Sequence, residues 1–257
     1  MHAINRTNIS SQPETIQSHK RDRVVAITGG ASGLGKATCK RLAQSGMKVI
    51  VADIQQSASD SVASEIVRNE GNAIALHLDI SNPESTNQFI QQVQNRYGTL
   101  DVLINNAGID VTQSIEDLSI ADWQRIINVN LNGAFYLSKA VFKQMRDGGG
   151  GHIINIVSTA AKRAWANASA YHASKWGLLG LSQALHVEGR PHNIKVTSLI
   201  AGGMQTPFLL DRFPDIDRNT LQDPANVAET IHYLLHQPPG TVIAEMMVLP
   251  IQETSWP

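Results

Sequence analysis

Three side chains within residues 158–175 have the types and spacing to move a proton: Ser158, Tyr171 and Lys175. Tyr171 and Lys175 are four positions apart, which on a helix places them on one face. A free phenol titrates near about 10 and is a poor acid or base at neutral pH. An ammonium held beside it favours the phenolate and lowers that value. The tuned Tyr then exchanges a proton with an alcohol or carbonyl oxygen. The Ser158 hydroxyl, upstream of Tyr171, would hold that oxygen. A Tyr and a Lys at this spacing are common on helix surfaces, so the reading depends on what the rest of the chain builds around them.

The hydropathy pattern supplies a scaffold. Residues 23–28 are an apolar run ending in glycines and read as a buried parallel strand. Residues 33–45 read as a helix closed by Gly46 just past its end. Residues 48–53 give a second buried strand, 55–70 a helix, and 73–79 a third strand. Ser81-Asn82-Pro83-Glu84 opens a helix, with a proline and an acid in its first turn. Residues 100–104 form a fourth strand. A long helical pattern then runs from Ser119 to about Met145, opened by Ser119 and Asp122 at capping-box spacing. Residues 152–157 make a fifth strand, and 169–188 a helix stopped by Gly189 and Pro191. Residues 194–200 make a sixth strand, and 241–249 a last one after a helix that starts at Asp223-Pro224. Alternating strands and helices imply an α/β fold with a parallel sheet covered on both faces. No repeat or linker divides the chain. The expected organisation is a flexible arm over residues 1–22 and one catalytic domain over 23–257.

The chain has 257 residues, 42% hydrophobic and 17% charged, with a formal net charge of −1. That balance argues against a nucleic-acid partner or an acidic lipid surface, which need a basic excess. No apolar run reaches the roughly 18 residues of a membrane span. The first 22 residues are polar without a hydrophobic centre, unlike a secretory signal. Cys39 is the only cysteine, so no intrachain disulfide forms and a reducing, cytoplasmic setting is expected.

Thr28-Gly29-Gly30-Ala31-Ser32-Gly33-Leu34-Gly35 lies between the first strand and the first helix. Glycines there let the backbone turn tightly and approach a pyrophosphate, and the helix start offers free N–H groups and a partial positive charge. Asp53 closes the second strand. A carboxylate at that point binds both hydroxyls of an adenosine ribose and repels a 2′-phosphate, which favours NAD over NADP. No Arg or Lys directly follows Asp53, though Lys36 and Lys40 in the first helix keep NADP in play. His232 and His236 have metal-like spacing, but no third ligand accompanies them and no metal site is assigned.

With these residues in place the chain resembles the short-chain dehydrogenase/reductase family. The resemblance spans nearly all of residues 23–249. It rests on the glycine turn, Asp79, Asn105-Asn106-Ala107-Gly108, Asn130, Ser158, Tyr171-x-x-x-Lys175, and Gly202 with Thr206. It implies a three-layer, doubly wound Rossmann fold with a seven-stranded parallel sheet. It implies that Tyr171 is the general acid/base, Lys175 tunes it and holds the nicotinamide ribose, and Ser158 orients the substrate oxygen. Asn130 would anchor a water linking Lys175 to solvent. Gly29, Ser32, Gly33, Leu34, Gly35 and Asp53 would hold the dinucleotide. Asp79 and Ile80 would take the adenine, and Asn106, Ala107 and Gly108 the cofactor floor. Gly202 and Thr206 would lie at the carboxamide. The implied partner is a small-molecule alcohol or ketone, in a homotetramer or homodimer whose interface uses the helix from Ser119 and the catalytic helix.

The chain departs from the family pattern in two places. Ala201-Gly202 stands where Pro-Gly is usual, and the last strand runs into a tail ending at Trp256 rather than a short glycine-containing one. Residues 203–222, where the family keeps a substrate lid, carry Met204, Phe208, Leu209, Leu210 and Phe213 and suggest a mixed apolar cover. Trp165 would line the same pocket, while His172 and Trp176 read as packing residues. The resulting expectation is an oxidoreductase moving hydride between NAD(H) and a secondary alcohol or ketone. The alternatives are an NADP-dependent carbonyl reductase of the same family and a catalytically silent dinucleotide-binding regulator.

Overall fold

The computed structural model describes residues 22–253. Nearly all of the expected N-terminal arm and the tail at Trp256 lie outside the described residues. The strands are β1 (Val24–Thr28), β2 (Lys48–Asp53), β3 (Asn72–His77), β4 (Val102–Asn105), β5 (Gly151–Ser158), β6 (Ile194–Ala201) and β7 (Glu245–Val248). They pair in parallel in the order β3-β2-β1-β4-β5-β6-β7. The order reverses between β1 and β4. A crevice opens at such a switch point, outside the carboxyl ends of the strands, and ligands of open α/β sheets bind there.

The helices are α1 (Gly33–Gln44), α2 (Gln56–Arg68), α3 (Pro83–Tyr97), α4 (Ile120–Ile127), α5 (Gly133–Asp147), α6 (Ser169–Gly189), the short α7 (Pro207–Leu210) and α8 (Pro224–Leu235). Side chains alternate across a strand, and β1 shows where each face goes. Val25 and Ile27 pack with Leu34 and Leu42 of α1 and with Val227 and Ile231 of α8. Val24 and Ala26 pack with Phe89 and Val93 of α3 and with Leu137 and Val141 of α5. Burial on both faces explains why these strands are apolar throughout rather than alternating.

Several elements differ from the sequence expectation. The helical pattern from Ser119 is two helices joined by a π-helical turn over Asn128–Asn132, which contains Asn130. A π turn is an insert within a continuous helix and carries no glycine or proline here, so the pattern reads as one helix. β3 ends at His77, which leaves Asp79 and Ile80 in the loop beyond it. α2 stops at Arg68 because Glu70 takes a left-handed φ of 63°. β7 begins only at Glu245, where it meets Ser198 of β6, its sole strand neighbour among the described residues.

A buried polar chain ties the sheet to the helices above the site. Asn105 of β4 donates to Asn155 of β5 at 2.8 Å, and Asn155 donates to Ser182 of α6 at 2.7 Å. This chain fixes how α6 sits on β5, and α6 carries Tyr171 and Lys175.

Candidate active site

The glycine turn is bolted to the end of β4. The Thr28 hydroxyl accepts from the backbone N–H groups of Asn106 (3.0 Å) and Ala107 (2.9 Å). The Asn106 amide donates back to the carbonyls of Thr28 (2.8 Å) and Gly29 (3.2 Å). Gly29 has φ +63°, a left-handed conformation that suits glycine. At Gly35 the reason for glycine is contact: a Cβ there would sit 2.0 Å from the Gly29 carbonyl oxygen. The start of α1 is left open, because Ser32 makes no side-chain cap and the first turn carries no acid. Its unmatched N–H groups and partial positive charge suit an anion.

Asp53 is held at the carboxyl end of β2. Its carboxylate accepts from Ala31 N–H and Gln55 N–H, each at 3.1 Å. Lys36 and Lys40, the cations that kept NADP in play, are both engaged with Glu65 at 3.3 and 2.5 Å. Asp79 is tied into its own loop, accepting from the Ser81 N–H (2.9 Å) and hydroxyl (2.7 Å).

The second half of the fold carries the residues expected to move the proton. Ser158 ends β5, and Tyr171 and Lys175 lie in the first two turns of α6; all three are buried. The Ser158 hydroxyl acts on the Tyr171 phenol, favouring its ionised form. Lys175 Nζ donates to the Ile156 carbonyl at 2.9 Å and lies 5.6 Å from the centre of the Tyr171 ring. Burial pushes the phenol up to about 12, against the smaller lowering from Ser158. Burial also brings Lys175 down to about 8, with Asp110 opposing. The expected lowering of the phenol by Lys175 is not among the effects that shift it; burial dominates.

Asn130 is buried but does not present a free amide. Its Oδ1 accepts from Ile109 N–H at 2.8 Å, and its Nδ2 donates to the Ile109 carbonyl (2.8 Å) and the Ser174 hydroxyl (3.0 Å). The side chain clamps the segment after Gly108 against α6.

One cleft of about 920 Å³ joins these parts. Gly29, Ser32, Gly33, Leu34, Asp53, Asp79, Ile80, Asn106, Ala107 and Gly108 line it, as do Ser158, Tyr171, Lys175, Gly202 and Thr206. Gly35 and Asn130 stand behind the lining. From the lid segment Met204, Phe208, Leu209 and Phe213 reach the cleft, and Leu210 does not.

Sequence reasoning passed over three residues that line the cleft, Asp110, Arg212 and Glu253. Asp110, two positions after Gly108, pairs with Arg212 from the lid segment, and both line the cleft. Its place just beyond the glycine at a strand end was the available signal. Glu253 accepts from Gly203 N–H at 2.9 Å and brings the tail to the cleft. His172 is more than a packing residue. It accepts from Trp165 N–H at 3.1 Å, which leaves its proton on Nδ1 for the Ala160 carbonyl at 2.9 Å. It thereby holds the loop that places Trp165 on the cleft. Trp176 is not a packing residue within this chain: it is 52% exposed. The His232 and His236 rings meet at 4.0 Å with a 42° tilt, and His232 also meets Arg41 at 2.9 Å.

A short chain dehydrogenase family model matches residues 23–217. The chain is 34% identical over 244 residues to a cyclohexanol dehydrogenase of Acinetobacter sp. (strain SE19), covering 92% of this chain and 97% of that protein. It is 36% identical over 193 residues to a trans-4-hydroxycyclohexanecarboxylate dehydrogenase of Sinomonas cyclohexanicum, covering 73% and 74%. A metagenomic short-chain oxidoreductase solved in complex with NADP superposes with a TM-score of 0.80 at 30% identity, over 89% of this chain and 97% of that one. The chain belongs to the short-chain dehydrogenase/reductase family. It is an NAD(P)-dependent oxidoreductase acting on CH–OH groups.

Proposed function

We propose that the protein is an NAD-linked dehydrogenase/reductase of ring secondary alcohols and their ketones. The observation that carries this reading is the meeting, in one cleft, of Ser158, Tyr171 and Lys175 at one end and of Asp53 beside the glycine turn at the other. The residues fit a dinucleotide: the open start of α1, the close approach at Gly35 and the fixed Asp53 carboxylate each suit one part of it. When bound, the nicotinamide supplies or accepts the hydride.

This chain's residues handle the proton. In reduction Tyr171 donates its proton to the carbonyl oxygen, and in oxidation it takes the hydroxyl proton. Ser158 holds that oxygen in line with the phenol. A phenol pushed up to about 12 is already in the acid form that reduction needs. Oxidation needs the phenolate, and Lys175 promotes it when it keeps its proton. Asn130 fixes Ile109 and α6 so that these groups stay in register. Asp53 supports NAD: its carboxylate faces the cleft, and the two nearby lysines are committed to Glu65. The ring-alcohol class is supported by the apolar cover of Phe208, Leu209, Phe213 and Trp165, and by the two curated relatives named above.

The test is absorbance of the reduced nicotinamide with NAD and NADP separately. The panel would hold cyclohexanol, cyclohexanone, open-chain secondary alcohols, polyols and a hydroxyacyl thioester. NAD-dependent turnover that favours the ring compounds is expected; turnover confined to the thioester or the polyols would refute the substrate class. A homodimer or homotetramer belongs to the same reading, supported by the exposed Trp123, Phe135 and Trp176 on α4, α5 and α6. A monomer by light scattering would remove it.

A further inference from the structure

Asp110 and Arg212 form an ion pair across the substrate end of the cleft. Asp110 stands on the rigid side, because both backbone polar groups of the preceding Ile109 are held by Asn130. Its side chain is only 6% exposed, and its other oxygen accepts from Val111 N–H at 2.8 Å. Arg212 comes from the lid. Its Nε donates to the Phe208 carbonyl at 2.8 Å, and its Nη1 reaches the Thr112 hydroxyl at 3.4 Å. The guanidinium lies 4.3 Å from the centre of the Phe208 ring and 5.4 Å from that of Phe213. The Phe208 ring is in turn 5.9 Å from that of Tyr171. A lid cation is thus matched to a buried carboxylate and lies against two aromatic rings, one of which also meets the Tyr171 ring.

We infer that the Asp110–Arg212 pair sets the charge of the substrate, latching the lid over Tyr171 while denying Arg212 to an anionic substrate, so that the site selects uncharged ring alcohols over ring hydroxy acids. The inference rests on the ring-alcohol reading above. A substrate carboxylate entering this pocket must break the pair and leave Asp110 buried without its partner, or sit beside a guanidinium whose charge is already matched. Breaking one side of a buried pair is strongly unfavourable. Removing only the charge of Asp110 reverses the logic. Arg212 becomes an unmatched cation in an apolar pocket, and a carboxylate is the ligand that its forked donors fit.

The experiment compares wild type, Asp110→Asn and the double variant Asp110→Asn/Arg212→Gln. kcat/KM is measured on cyclohexanol and on trans-4-hydroxycyclohexanecarboxylate, with the cofactor that wild type uses. Wild type should favour the neutral alcohol by at least roughly tenfold, the worth of one matched charge interaction of about 1.4 kcal/mol. Asp110→Asn should move the ratio toward the acid by a similar factor, mainly through KM, and the double variant should cancel that gain. An unchanged ratio in Asp110→Asn overturns the inference, as does a gain that survives loss of Arg212. Limited trypsin digestion reads the latch without turnover. Cleavage after Arg212 and Arg218 should be several-fold faster in Asp110→Asn, and equal rates overturn the latch. If wild type turns over neither ring compound, the ring-alcohol reading fails by itself. Binding of cyclohexanecarboxylate then still decides the charge inference: Asp110→Asn should bind it at least roughly tenfold more tightly, and equal affinity refutes it.

Discussion

Asp53→Ala is the perturbation that bears most directly on cofactor choice. The Asp53 carboxylate is fixed by two backbone N–H groups at 3.1 Å, so its charge stays at one place beside the glycine turn. Two unit charges about 4 Å apart interact by about 4 kcal/mol at an effective dielectric of about 20. Asp53 is partly exposed, and salt screens it, so about 2–3 kcal/mol of repulsion toward a 2′-phosphate is a fairer figure. Its removal should therefore tighten NADP binding by about 30- to 150-fold. The same change deletes a charged hydrogen-bond acceptor for the ribose hydroxyls, worth about 1.5–3 kcal/mol, and should weaken NAD by roughly 10- to 150-fold. Both lysines near the turn engage Glu65 in partly exposed pairs that hold them only weakly. Titration calorimetry with each oxidised nucleotide gives both dissociation constants. Wild-type preference for NADP, or a ratio unmoved by Asp53→Ala, would refute the role given to this carboxylate.

Two further outcomes follow from contacts elsewhere in the fold. Gly35→Ala places a methyl 2.0 Å from the Gly29 carbonyl oxygen and 2.8 Å from the Asn106 amide. Because the first of these is backbone, the cost should reach about 3 kcal/mol. A melting point on the order of 6–12 °C lower and loss of nucleotide-induced stabilisation are expected in a thermal melt; an unchanged melt would contradict the close approach. His152 is buried in β5, with Nε2 2.9 Å from the Thr197 hydroxyl, and burial lowers its pKa to about 3. The unfolded chain takes up that proton near about 6.5, while the folded protein resists it until about 3. Acidification across that window therefore favours unfolding, by about 1.4 kcal/mol per pH unit for this one group. Urea unfolding of wild type and His152→Asn between those limits should differ in slope by one proton, and parallel curves would refute the assignment.

Much of this architecture was legible in the residues. The apolar runs that became β1 and β2 could hardly be anything but strands buried on both faces, and the glycines at 29, 33 and 35 lie where the chain must turn tightly or approach itself. Tyr171 and Lys175 share a helix face because of a four-residue spacing, and spacing is visible in a sequence. The pairing of Asp110 with Arg212 was not visible, because it joins segments 102 residues apart and depends on how the lid folds back. The double duty of His172 was hidden for the same reason, since a histidine beside a tyrosine carries no sign of the loop it will hold. The π turn at Asn130 escaped because its five residues carry no glycine or proline to mark a break in the helix. The balance of pKa shifts at Tyr171 and Lys175 was also beyond the sequence. Types and spacing show an ammonium near a phenol, but depth of burial decides which effect wins.

The central claim is that Tyr171 moves the proton while the rest of the cleft holds the cofactor. The measurement is turnover of the best ring substrate by wild type and Tyr171→Phe, beside the cofactor dissociation constant of each. Phenylalanine keeps the ring packed against Phe208 and removes only the exchanging oxygen. The account predicts kcat lower by roughly a hundredfold or more, the usual contribution of a positioned acid or base, with cofactor affinity nearly unchanged. Substantial turnover by Tyr171→Phe would contradict it.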